Sequence, residues 1–163
     1  DILTAIEKDA ANHTLDQDCV NEGAQSYWAG KSIGMVARLA SISRAFGTDH
    51  YTKLDESLRK CLDLWLGIVD GITEPNKFRY DTVWGGMFLS SIRPNELIFP
   101  WTNFGFVSYA DHHFHLGYWI YAISYYAQYH KDWAMKDDNY ERIVALVRDV
   151  ASPSKIDTFF PTV

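Results

Sequence analysis

Two consecutive amphipathic stripes, each closed by a glycine, restrict what this chain can fold into more than any other feature. In QSYWAGKSIGMVARLASISRAF (25–46), Trp28, Met35, Leu39, Ile42 and Phe46 recur at spacings of three, four or seven, and Gly47 stands where a helix C-terminus favours glycine. Residues 49–69 repeat the arrangement with Tyr51, Leu54, Leu58, Cys61, Leu62, Trp65 and Val69, closed by Gly71. The helical period returns from about Tyr109 to Tyr129 and again from Tyr140 to Ala151. In that last helix Asp138 and Glu141 stand three apart as an N-terminal capping arrangement, and Pro153 closes it. Between the two helical stretches the texture changes. Phe78 to Trp84 (FRYDTVW) is aromatic and β-branched and runs into Gly85-Gly86, which predicts an extended segment and a tight turn. Ser90 to Val107 holds Pro94, Pro100 and Gly105 without periodicity and reads as a long loop, a feature that in compact domains tends to be functional. The expected class is mainly α, built from antiparallel helix pairs with one irregular aromatic- and glycine-rich insertion.

Composition removes several function classes. With 15 Lys+Arg against 21 Asp+Glu in 163 residues, the net charge is −6, the wrong sign for a nucleic-acid backbone binder. No apolar run approaches the roughly 20 residues of a membrane span. A hydrophobic fraction of 47% excludes a disordered chain. Aromatic residues make up 15%, more than a core of this size usually holds, so some rings are expected at a surface where a ligand stacks. The chain starts at Asp1 without an initiator Met and stops directly after an apolar run, which reads as a piece of a longer protein. Cys19 and Cys61 allow one disulfide; because Cys61 falls on an apolar stripe, the reading favoured for it is a buried free thiol. Asn12-His13-Thr14 is a glycosylation acceptor triplet, consistent with a secreted parent.

Three constellations carry candidate chemistry. In Asp111-His112-His113-Phe114-His115-Leu116-Gly117-Tyr118, helical spacing puts Asp111, His115 and Tyr118 on one face and His112 with Trp119 on another. A metal site would want His pairs at i, i+4, and only His112 and His115 are even roughly adjacent. The other readings are polar residues satisfied inside a helix barrel, or a general acid in a sugar cleft. A general acid needs a carboxyl kept protonated near neutrality, which aromatic neighbours that exclude water promote. In Tyr80-Asp81-Thr82-Val83-Trp84-Gly85-Gly86, an acceptor for sugar hydroxyls stands beside a platform for a pyranose face, although an ordinary turn fits equally well. Tyr27-Trp28-Ala29-Gly30-Lys31 opens a helix, and its aromatics read first as core. No nucleophile elbow surrounds Ser90 or Ser91, and no phosphate-cradling glycine loop is present.

Taken in order, Tyr-x-x-Gly-Lys at 27–31, Tyr-Asp-Thr-x-Trp-Gly-Gly at 80–86 and Asp-His-His-Phe-His-x-Gly-Tyr at 111–118 resemble glycoside hydrolase family 81, the endo-β-1,3-glucanases. Leu146 to Pro153 and then Phe159-Phe160-Pro161 are similar to the stretch that follows the last motif in that family. The resemblance departs at Leu116, where the family more often has Tyr, and at Ala29, often a bulkier residue. It implies the N-terminal part of an (α/α)6 catalytic barrel. It also implies inverting endo-hydrolysis of β-1,3-glucans such as laminarin or callose, outside the cell or facing the wall. By that resemblance Asp111 is the general acid. Asp81, Trp84, His115, Tyr118, His112 and Tyr80 are substrate contacts. The general base belongs to a glutamate-bearing motif expected beyond Val163, because Glu7, Glu22, Glu56, Glu74, Glu96 and Glu141 lack its context. Two carboxyls and a water suffice for such chemistry, so no metal or organic cofactor is expected. The alternative is a non-catalytic β-glucan-binding protein that uses the same aromatic cleft.

Overall fold

The computed structural model describes residues 1–20, 25–68, 78–89, 102–152 and 154–160. Its elements run α1 (Ile2–Asn12), α2 (Leu15–Val20), α3 (Ser26–Ala45), α4 (Tyr51–Trp65), β1 (Phe78–Asp81), β2 (Gly86–Leu89), a distorted 3-10 segment (Thr102–Ser108), α5 (His112–Tyr129), α6 (Lys131–Ala134) and α7 (Asp137–Ala151). The described residues are mainly helical, as the stripes predict. α3 and α4 match the first two stripes in extent, and the α4 stripe is buried, but in α3 the expected stripe is not the core face: Trp28, Met35 and Phe46 are exposed, and Ala29, Ile33, Val36, Ala37 and Ala40 pack inside, because small residues let α3 approach its neighbours closely. Gly47, at φ 67, allows the Thr48 amide to reach back to the Ser43 carbonyl at 3.0 Å and stop α3.

Three boundaries differ from the sequence reading. α4 ends at Trp65 because Gly67, at φ 68, lets the Ile68 amide close on the Asp63 carbonyl at 2.8 Å; Gly71 lies outside the described residues. α7 starts at Asp137 with Lys136 in the capping position and no side-chain cap, so Asp138 sits within the first turn and favours the helix only through its charge. α5 starts at His112, three residues later than the periodicity predicts, because Tyr109 and Asp111 both take left-handed backbone. Of the Phe78–Trp84 segment, Phe78–Asp81 forms a strand, which pairs antiparallel with β2 in the register Phe78↔Leu89 to Asp81↔Gly86, and Thr82 to Trp84 belong to the turn. Ser90 to Trp101 lies outside the described residues.

α3 is the central helix, packed on α5 and α4, while α2 backs α4 and α7 backs α5. The core is aromatic. Trp65 and Trp119, both fully buried, lie 4.5 Å apart between ring centroids, and Phe78 of the hairpin packs on both. Each indole N–H finds a carbonyl, Trp119 on Ser26 at 3.0 Å and Trp65 on Cys19 at 3.2 Å, as buried Trp requires. Gly30 permits this approach, since a Cβ there would stand 2.8 Å from the Trp119 indole nitrogen. The expectation of a free thiol at Cys61 is corrected: Cys61 is buried, but it is bonded to Cys19, joining α4 to α2. Burial on an apolar stripe is shared by thiols and disulfides, so the stripe alone does not separate them.

At the far end of α3, Arg44 lies between the rings of Tyr51 and Tyr129 and bonds Asp55 at 2.5 Å. Asp55 also accepts from Tyr125 at 3.0 Å and pairs with His130 at 2.9 Å, so a buried carboxylate ties α3, α4 and α5 together.

Candidate active site

The hairpin turn is built by Asp81. Its Oδ1 accepts the Val83 amide at 2.7 Å and the Trp84 amide at 3.2 Å, folding the turn and leaving Trp84 78% exposed. Its Oδ2 accepts the Tyr109 hydroxyl at 2.8 Å. The Tyr109 bond, reinforced by the Val83 amide, holds the Asp81 carboxyl below the usual carboxylate range. Tyr109 is pushed up in turn, first by burial and then by that carboxylate.

The segment entering α5 is the most distorted part of the described chain. Asn103, Phe104, Tyr109 and Asp111 all have φ between 55 and 60°, each costing roughly 1 kcal/mol or more for a residue with a Cβ. What holds it is burial and bonding. Phe106 is fully buried, with the His112 ring stacked on it at 4.2 Å and the His115 ring at 5.0 Å. Asn103 donates to the Ser26 hydroxyl at 3.0 Å, and that hydroxyl pairs with His115 Nδ1 at 2.7 Å.

One cleft of about 1070 Å³ gathers the hairpin turn and the start of α5. Asp81, Trp84, Gly86, Tyr109, Asp111, His112 and Asp149 are among the residues lining it. Asp111 is exposed at its edge, and its carboxyl makes no hydrogen bond or ion pair among the described residues. Asp111 is the residue before α5, in left-handed backbone and exposed, whereas His115 is fully buried. His112 lines the cleft while its Nδ1 faces Asp149 Oδ2 at 2.6 Å and its Nε2 faces the Phe106 carbonyl at 3.0 Å.

Of the sequence candidates, Asp111, Asp81, Trp84 and His112 meet around this cleft, whereas Tyr80, His115 and Tyr118 are not among its lining residues. Tyr80 donates its hydroxyl to the Phe159 carbonyl. His115 is fully buried, with Nε2 lacking a partner among the described residues, and burial pushes it down to about 4 against the opposing pull of Asp111. Tyr118 packs edge-on against Tyr27 and Phe114 in an aromatic group that also includes Phe104. That group is the Tyr27-Trp28 constellation in space; Tyr27 is half-buried, and Trp28 is 53% exposed with Lys31 at 5.7 Å from its ring. Both His112 ring nitrogens and His115 Nδ1 lie within hydrogen-bond distance of groups of the fold, so this pair does not present itself as two free metal ligands.

Sequence reasoning missed Tyr109 and Asp149. Tyr109 reads as the first residue of a helical pattern, and nothing local marks its left-handed turn. Asp149 did carry a signal: it lies three residues after Leu146, on the same buried face of α7. An acidic residue on a buried stripe points to a partner from another element.

The whole chain, residues 1–163, matches the family described as "Glycosyl hydrolase family 81 C-terminal domain". The chain belongs to glycoside hydrolase family 81. It is 31% identical over 137 residues, 83% of its length, to a glucan endo-1,3-beta-D-glucosidase of Glycine max, covering 19% of that protein. It is 30% identical over 83% of its length to the primary septum glucan endo-1,3-beta-D-glucosidase of Schizosaccharomyces pombe, covering 13% of it. The chain therefore spans a fifth or less of the length of these relatives. In structure it is similar to a glycoside hydrolase family 81 protein from Clostridium thermocellum, with a TM-score of 0.69 at 23% identity over 98% of this chain and 21% of the other. That likeness concerns the fold, and it agrees with part of a helical (α/α) barrel.

Proposed function

We propose that the protein carrying this chain hydrolyses internal β-1,3-glucan linkages with inversion, and that Asp111 is the general acid. The activity is that named for the Glycine max and Schizosaccharomyces pombe relatives. The observation carrying the acid role is that Asp111 is the one carboxyl on the described cleft wall left free. Asp81 is committed to Tyr109 and its own turn, and Asp149 to His112 and the Met87 amide. A carboxyl that no neighbour engages is free to turn toward a glycosidic oxygen. Trp84, exposed on the same cleft, offers a flat apolar face to a pyranose.

An inverting mechanism needs a second carboxyl roughly 6.5–9.5 Å away, with room for a water. Because the other described cleft carboxyls are engaged, the base is proposed to be a glutamate outside the described cleft residues, in the continuing barrel. Within the 163 residues, this segment then forms the N-terminal part of the catalytic domain and the acid side of the site. The Cys19–Cys61 bond and the exposed Asn12 acceptor triplet support an extracellular or wall-facing location, where disulfides persist.

The test is Asp111→Asn in the full-length protein, read as reducing-sugar release from laminarin. The expected loss is about 100-fold or more. A variant that keeps most of the wild-type rate removes Asp111 from the acid role. Laminarin binding by the wild-type protein without any turnover would favour a glucan-binding function for the same cleft.

A further inference from the structure

We propose that Asp149, acting through His112, is the positioning residue that aims the Asp111 carboxyl into the cleft; this rests on the acid role proposed for Asp111. The Asp111 side chain has no bond of its own to fix it. Its direction is therefore set by the backbone on either side, and that backbone is left-handed at Tyr109 and again at Asp111. A residue in that conformation stays there only if its surroundings over-determine it.

The anchor on the C-terminal side is the next residue, His112. Its ring is buried, stacked on Phe106 at 4.2 Å and 14°, and held at both nitrogens. Nδ1 faces Asp149 Oδ2 at 2.6 Å, and Nε2 faces the Phe106 carbonyl at 3.0 Å. Both ring nitrogens are thus engaged by groups of the fold itself. No ring nitrogen is then left for a sugar hydroxyl, and His112 acts as support where a substrate contact was expected. Asp149 itself is buried on α7, and its other oxygen accepts the Met87 amide of β2 at 2.7 Å. One carboxylate thus locks the hairpin wall, α7 and the first turn of α5 together at the point where Asp111 leaves the helix. Gly86 leaves the space for it: a Cβ there would stand 3.2 Å from Asp149 Oδ1 and 2.5 Å from the Tyr109 ring.

The experiment compares Asp149→Ala, Asp149→Asn and Asp111→Asn in the full-length protein on two substrates. One is laminarin, whose leaving sugar must be protonated. The other is a β-1,3-gluco-oligosaccharyl β-fluoride, whose fluoride departs without an acid. Asp149→Ala is expected to lose about tenfold or more in kcat on laminarin, with KM nearly unchanged and the fluoride rate largely kept. Asp149→Asn should recover most of the laminarin rate, because an amide can accept from the Met87 amide and donate to the His112 ring. His112→Gln is the second variant, read in the same way should Asp149→Ala fail to fold. Equal loss on both substrates, or an unchanged laminarin kcat in a folded variant, overturns the proposal. If Asp111→Asn is inactive on laminarin while Asp149→Ala matches wild type, only the positioning role falls. If Asp111→Asn itself keeps the wild-type rate, the acid assignment falls and takes this role with it.

Discussion

His115 shows how far burial alone sets a residue's chemistry. It is fully buried, and its ring is pushed down to about 4 from an ordinary value of 6.5, chiefly by loss of water. The folded state prefers the neutral ring, so this stabilisation is complete above about pH 6.5 and is lost as pH falls toward about 4. The expected cost by pH 4 is on the order of 3 kcal/mol. Asp157 works in a lower window: the Arg148 guanidinium holds it down to about 2, so its contribution is lost only below the ordinary carboxylate range. Thermal midpoints measured from pH 7 to pH 4.5 should therefore decline in wild type and flatten in His115→Gln. A decline of equal slope in both proteins would assign the effect to other groups.

At the scale of elements, the Cys19–Cys61 bond carries the clearest energetic consequence. It closes a loop with a sequence separation of 42 residues between α2 and α4. Restricting that loop in the unfolded chain is worth roughly 2–4 kcal/mol. Cys19→Ser with Cys61→Ser should lower the denaturation midpoint by a corresponding amount, and an unchanged midpoint would mean the two helices hold together without the bond. The element boundaries show why sequence spacing succeeds and where it stops. The glycine stop at Gly47 was legible because a left-handed C-terminus favours glycine over other residues. Asn103, Phe104, Tyr109 and Asp111 take the same conformation without a glycine to mark it: Asn103 is held by Ser26 and Tyr109 by Asp81, Phe104 packs on Tyr27, and Asp111 precedes His112, which is bound to Asp149.

At the scale of the molecule, no helix among the described residues is long and apolar enough to cross a membrane. α5 nonetheless exposes Phe114, Tyr121 and Tyr129, and α3 exposes Trp28 and Met35, so both central helices present large apolar side chains outward. This fits part of a larger helical barrel in which further helices cover those faces. With the base proposed to lie outside the described cleft, the 163 residues by themselves should release no reducing sugar from laminarin, with a β-1,4-glucan as control. Release from laminarin alone would bring the base within them and move Asp81 from support to catalysis.

The helical class, the two central helices and the motif that holds Asp111 were determined by sequence alone, because apolar period and glycine placement act over a few residues. The meeting of Asp81, Trp84 and Asp111 around one cleft was decided only in three dimensions, as were the burial of His115 and the Cys19–Cys61 bond. Each depends on elements far apart in the chain. A carboxylate is free or committed according to what packs against it, and neither Asp81 nor Asp149 has its partners next to it in sequence.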